Sequence, residues 1–267
     1  GLSFDYAMSW SSGIYETVAM VIPNAAGGGM MVDYAKMGTE TYDQLFRAFR
    51  QQGMNTSQAE SQANQYMGAA FMKWTGESMG NGAYYMGAGV FMLFCLAFFS
   101  VGGTIRNWVI SSSVVFLFMS WGSNFETFNS FLFDYLPLYN KFRVPSMAMV
   151  ILFFLVPFYG LYGLNTWMQF DKKKRFEAFK KGTGLFGTFI LLFGFVAPFV
   201  MDLEGARDAG FAQQGFSLDQ LISDRRGIIM NSAMRSLFFG GLTALTLYVW
   251  HIGKLKEVGA IAVLGSI

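Results

Sequence analysis

The sequence predicts an all-α membrane protein, a polytopic helical bundle with outward-facing interfacial helices and loops. Hydrophobic residues make up 53% of the chain and charged residues only 13%, against about 45–50% and about 25% in soluble domains. The mean hydropathy is correspondingly high, +0.36. The apolar residues gather into runs near the roughly 20 residues that a helix needs to cross the hydrocarbon core. The cations, in turn, crowd into a few segments between those runs.

Residues 1–82 are expected to lie outside the bilayer. Asp5 to Met31 combines aromatics, a Pro23-Asn24 break and Gly27 to Gly29, which reads as a structured loop lying against the membrane, the glycines forming a flexible turn. Thr39 to Arg50 and Thr56 to Trp74 are polar with helical spacing. They read as two short surface helices, the second capped by Thr56 or Ser57 with Glu60 following.

Residues 83–257 are expected to carry five spans: Ala83 to Val101, the short Trp108 to Trp121, Ser146 to Phe170, Thr183 to Met201 and Ser236 to Trp250. Between the last two, Phe216, Leu218, Leu221, Ile222, Ile228 and Ile229 fall near one helical stripe behind a Ser217 cap. That pattern predicts an interfacial helix around residues 216–234. Residues 258–267 read as the start of a truncated sixth span. The chain opens without Met or signal peptide, so it is expected to be a piece of a longer protein.

Charge placement gives the expected topology. Arg106 lies in a turn, Gly102 to Asn107, Lys172, Lys173, Lys174, Arg175, Lys180 and Lys181 in a loop, Asp171 to Gly182, and Lys254 and Lys256 after Trp250, all of which the positive-inside bias assigns to the cytoplasm. The N-terminal region, the stretch LPLYNKFRVPSM (Leu136 to Met147) and Asp202 to Arg235 then face outward.

Several function classes are excluded. There is no Walker-type phosphate loop, no dinucleotide fingerprint and no metal-ligand spacing. The basic run DKKKRFEAFKK is explained as a cytoplasmic anchor, so nucleic acid is not expected as a partner, whereas membrane lipids are. The single Cys95 has no intrachain partner for a disulfide. The lone His251 reads as an interfacial residue, with no second His or Cys to complete a metal site.

What remains is polar chemistry on the expected outer face: Glu16, Glu77, Glu126, Asp134, Lys141 and Arg143. Pro137 and Pro145 restrict the backbone around Lys141 and Arg143, while Tyr139, Asn140 and Ser146 add hydrogen-bonding groups. A rigid turn of this kind suits a phosphate, with Arg forking two oxygens and Lys acting as a point charge. Simple anchoring by snorkelling is the competing reading. Arg225, Arg226 and Arg235 form a second basic cluster, expected to face headgroups or a cleft.

Four patches resemble the YfhO-like membrane proteins of bacteria, in the long form seen in Bacteroidetes. They are DYAMSWSSGIYETVAMVIPNAAGG, WTGESMGNGAYYMGAG, MSWGSNFETFNSFLFDYLPLYNKFRVPSM and SDRRGIIMNSAMRS, in that order along the chain. The resemblance implies a fold similar to the GT-C glycosyltransferases, which take sugars from polyprenyl-phosphate carriers at the outer face of the bacterial cytoplasmic membrane. It implies a lipid-linked sugar as donor and glycosylation of the cell envelope as the activity. Glu16 matches the acid of the first loop motif. Lys141 and Arg143 match the cations of the P-L-Y-N-K-F-R element, which also contains Tyr139 and Asn140, and Arg225, Arg226 and Arg235 match the basic positions of the D-R-R and R-S elements. Ser232 and Trp74-Thr75-Gly76 depart from the pattern. The principal catalytic carboxylate is expected upstream of Gly1, and the need for a divalent metal is open. A non-enzymatic lipid-linked sugar transporter, or a scaffold subunit with partners in an envelope complex, fits the same residues.

Overall fold

The computed structural model describes residues 2–28, 33–70, 74, 85–205, 208–213, 216–256, 259 and 264–265. Gly29, Thr75, Gly76, Glu77, the first two residues of the first expected span and most of the expected sixth span lie outside the described residues. The longer helices are α1 Glu40–Gln51, α2 Thr56–Ala70, α3 Ala88–Ser100, α4 Gly103–Trp121, α5 Glu126–Tyr135, α6 Met149–Met168, α7 Lys172–Leu191 and α8 Leu218–His251. Among the described residues there is no β-strand.

Among the described residues three helices are long and apolar enough to cross a membrane: Pro145–Met168 (24 residues), Lys172–Val200 (29 residues) and Leu218–His251 (34 residues). The protein is an all-helical membrane protein. The helix in the first expected span, α3, has 13 residues, about 20 Å at 1.5 Å per residue, roughly two thirds of the core thickness. α4 has 19 residues and takes in Arg106, which was expected in a turn.

One expected loop is helix instead, and two expected helices are joined into one. The basic run is the first half of α7, because Lys, Arg, Glu and Ala are all good helix formers and Asp171 caps it. The Asp171 Oδ1 accepts the N–H groups of Lys173 and Lys174, each at 3.0 Å. The Lys174 N–H bond, foremost, holds the Asp171 carboxyl below its usual range. The expected interfacial helix and last span are likewise one uninterrupted α8, since no proline falls between Leu218 and His251.

Two compact units make up the chain: Gly1–Ile14 with Met86–Leu192 and Met234–Ile267, and Tyr15–Tyr85 with Phe193–Ala233. In the first unit α3 packs along α6 and α7. Gly163 permits this approach, since a Cβ there would run into Ala97. Small residues play this part generally between membrane helices, where dispersion replaces the hydrophobic drive. Leu93, Leu96, Leu164, Trp167, Ala178 and Leu247 form the adjoining core. Arg175 locks the turn from α6 to α7 by donating to the carbonyls of Met168 (2.9 Å) and Phe170 (2.7 Å), which serves the exposed C-terminal carbonyls of α6.

In the second unit α1 and α2 pack on each other over Tyr34, Tyr42, Leu45, Ala63, Met67, Leu221, Ile228 and Ile229. The cap of α2 is Asn55 rather than Thr56 or Ser57. Asn55 Oδ1 accepts the Gln58 N–H at 2.9 Å and Gln58 Oε1 accepts the Asn55 N–H at 3.2 Å, a reciprocal capping box. The start of α1 is served from α8, where the Asp224 carboxylate accepts the N–H groups of Glu40 (3.2 Å) and Thr41 (2.9 Å). The expected Ser217 cap is in place, its Oγ accepting the Gln220 N–H at 3.4 Å.

Candidate functional site

The turn between α5 and α6 is pinned from below and open above. Tyr139 and Pro145 are buried on either side of it, whereas Lys141, Phe142 and Arg143 between them are exposed. The Tyr139 hydroxyl donates to Asn129 Oδ1 at 2.7 Å, and burial pushes the phenol up to about 12. Asn129 is itself fully buried and donates to the carbonyls of Phe118 and Gly122 at 2.9 and 3.0 Å. A fully satisfied polar cluster of this kind fixes one conformation.

Gly122 shows why the local sequence folds this way. Its φ of +47° favours glycine, and a Cβ there would collide with Ser11. Ser11 in turn accepts the Ser123 N–H at 2.8 Å and donates to the Met8 carbonyl at 2.6 Å, tying the start of the chain beneath the turn. The Asn140 carbonyl accepts the Leu2 N–H at 3.3 Å, and Arg143 donates to the Tyr6 hydroxyl at 3.1 Å, its guanidinium 6.0 Å from the Tyr6 ring centre.

Exposed apolar side chains frame the two cations. Leu138 is 69% exposed, Phe142 68% and Met147 68%. Cations interleaved with large exposed apolar groups have the composition of a segment seated at a membrane interface. Tyr139, Asn140, Lys141 and Arg143 are thus brought together on one rigid turn, with Tyr139 as its buried support.

The other predicted residues fall elsewhere. Glu16 is 3% exposed in the 3-10 helix Tyr15–Met20, within the second unit. Ala19, Ile22, Ala25 and Ala26 near it are fully buried, so this segment is core of its unit instead of a loop lying against a membrane. Apolar and small residues outnumber the polar ones over 18–26, which is the signal that was available.

Arg225 also departs from expectation. It is 1% exposed and grips both carboxylate oxygens of Asp208, at 2.5 and 2.7 Å. It further donates to the carbonyls of Leu203 (2.7 Å) and Ala70 (2.8 Å), so it faces neither headgroups nor an open cleft. The reason is physical: a buried guanidinium needs a carboxylate and acceptors for its terminal amino groups, and Asp208 and the two carbonyls supply them. Arg226 is half-buried, donates to the Pro198 carbonyl at 3.0 Å and lies 5.5 Å from the Phe199 ring centre. Arg235 is exposed and belongs to the first unit. The three arginines therefore have three different surroundings.

Among the described residues no group of three or more His, Cys, Asp and Glu could hold a metal ion. Sequence reasoning overlooked an open, solvent-facing cavity of about 510 Å³ in the first unit, lined by mostly exposed residues at the start of α7 and the end of α8. Its lysines lie at helical spacing, a signal hidden while the basic run is read as a loop. Comparison with protein-family models, curated proteins and solved structures finds no match for the chain.

Proposed function

We propose that this chain is part of an integral membrane protein that holds the phosphate of a polyprenyl-phosphate-linked sugar on the Lys141 and Arg143 turn. One observation carries the reading: two exposed cations stand between exposed apolar side chains on a turn whose flanks are buried and hydrogen-bonded. The apolar groups suit the lipid part of such a ligand and the cations its headgroup.

The YfhO-like, GT-C-like resemblance supplies the proposed chemistry, glycosyl transfer to a cell-envelope acceptor at the outer face of the bacterial cytoplasmic membrane. In that reaction the bond from the anomeric carbon to the carrier phosphate breaks and a bond to the acceptor oxygen forms. The acceptor proton passes to a base, and the charge left on the phosphate is offset by Lys141 and Arg143. No base is assigned. The burial of Glu16 favours the second reading, a lipid-linked sugar transporter or scaffold subunit, because a shielded carboxylate is poorly placed to meet an acceptor.

The test is the double variant Lys141→Gln/Arg143→Gln, inserted normally, with polyprenyl phosphate binding followed by native mass spectrometry. Binding is expected to weaken about tenfold or more, since each lost charge-assisted hydrogen bond is worth at least a factor of ten. Unchanged binding refutes the phosphate clamp. Supplying a labelled carrier-linked sugar separates the two readings, as label appears in an envelope polymer only if transfer occurs.

A further inference from the structure

The cavity at the other end of α6 carries its own chemistry. On α7, Lys172, Lys173 and Lys180 line it together with one acid, Glu177. These positions recur at the spacing that puts residues on one helix face. On α8, Tyr248, His251 and Ile252 form the facing wall. Aromatic contacts tie the two walls together: Phe176 stacks on His251 with ring centres 5.5 Å apart, and Phe179 on Tyr248 at 6.1 Å. Lys180 is drawn over the Phe176 ring, its Nζ 5.1 Å from the ring centre.

The distribution of charge within the basic run is uneven. Lys174 turns away from the cavity, with its Nζ 4.1 Å from the Phe170 ring centre. Arg175 is occupied by the α6 carbonyls and lies 4.5 Å from the Trp250 ring centre. Lys181 is exposed and does not line the cavity. The helix end itself offers little to a ligand, because Asp171 already takes the N–H groups of Lys173 and Lys174. Attraction at the cavity therefore comes from three lysine side chains opposed by one glutamate, beside the Phe176, Tyr248 and His251 rings. A general electrostatic anchor would use every lysine of the run alike.

We propose that this cavity is a binding site for a phosphate-bearing group, held by Lys172, Lys173 and Lys180 against the Phe176 and His251 rings. The site is independent of the Lys141 and Arg143 turn, which lies at the opposite end of α6. Phosphate fits because three lysines line one site and an ammonium group is a point charge with no fixed fork to demand a planar carboxylate. The group has two sources, the headgroup of an anionic lipid or a small phosphorylated solute.

The experiment uses the full chain in detergent micelles. Phosphatidic acid is titrated against phosphatidylcholine by native mass spectrometry, and glycerol 3-phosphate is then added as a competitor. The triple variant Lys172→Gln/Lys173→Gln/Lys180→Gln is expected to bind phosphatidic acid about tenfold or more weakly, as lost charge-assisted bonds require. Gln has nearly the helix propensity of Lys, so the fold is kept. Glu177→Gln is expected to bind about two- to threefold more tightly by removing a like charge. Lys174→Gln/Lys181→Gln is expected to stay within about twofold of the unaltered protein, because neither residue enters the cavity. Displacement by millimolar glycerol 3-phosphate assigns the site to a soluble phosphate, and resistance to it assigns the site to a lipid headgroup. An unaffected triple variant overturns the proposal. So does a loss in Lys174→Gln/Lys181→Gln that matches the loss from two cavity lysines.

Discussion

Replacing Arg225 by Met removes one half of a buried ion pair and leaves the other half in place. The Arg225 and Asp208 side chains are 1% and 5% exposed, so neither is relieved by water. After the change, Asp208 keeps only the Gly205 N–H bond at 2.8 Å among the contacts described here, and the Leu203 and Ala70 carbonyls lose their Arg225 donor. Removing one partner of a buried pair costs about 3–5 kcal/mol, a fall of roughly two to three and a half orders of magnitude in the folded-to-unfolded ratio. Trp74 reports the event directly, because the guanidinium lies 5.4 Å from its ring centre. Denaturant titration of the protein in mixed micelles, followed by tryptophan fluorescence, should show the midpoint displaced accordingly. The double variant Arg225→Met/Asp208→Leu should recover part of the loss, as an apolar pair of similar volume often matches a buried ion pair. A single variant as stable as the unaltered protein, or a double variant whose loss equals the sum of the two singles, would refute the reasoning.

At the α3 to α6 contact, Gly163→Leu should cost about 1–3 kcal/mol by forcing the helices apart, measured as a lower unfolding midpoint in the same micelles; an unchanged midpoint rejects the close approach. Tyr139 and Tyr15, both raised to about 12 by burial, contribute stability that is whole below the ordinary phenol value near 10 and is lost as pH climbs toward about 12. Alkaline unfolding should therefore set in over that window and be displaced in Tyr139→Phe, with absorbance at phenolate wavelengths as the check. Asn55→Ala should cost about 1 kcal/mol by removing the α2 cap, seen as faster amide hydrogen exchange in the first turn of Thr56–Ala70. In a Cys95→Ser background, which removes the chain's one cysteine, Phe142→Cys and Lys174→Cys should each label with a membrane-impermeant maleimide from a different side; labelling of both from one side refutes a membrane-crossing α6.

How much the sequence disclosed depended on the distance over which each answer is decided. The apolar run at Ser146 to Phe170 became the span Pro145–Met168 almost residue for residue, because hydropathy is local and α6 satisfies its own backbone. The helical basic run was equally local, and Asp171 ahead of KKKRFEAFKK was a readable cap. The Asn55 and Gln58 box was readable as well, three residues apart. By contrast, the N-terminus of α1 is served by Asp224, 184 residues from Glu40. Nothing near either residue announces that pairing.

The two arginine-containing motifs make the same point about function. SDRRG and NKFRV each look like cations beside a membrane segment, the first expected to face headgroups or a cleft and the second to grip a phosphate. What separates them is partnership. Arg225 has a carboxylate and two carbonyls in the interior of its unit, so its charge is spent on holding that unit together. Lys141 and Arg143 form no ion pair among the described residues, and stay exposed while Tyr139 beneath them is buried. A cation kept in water beside exposed apolar groups adds little to stability on its own. Arg225 is therefore accounted for by the fold alone, whereas the charges of Lys141 and Arg143 stay at the surface of a firmly supported turn.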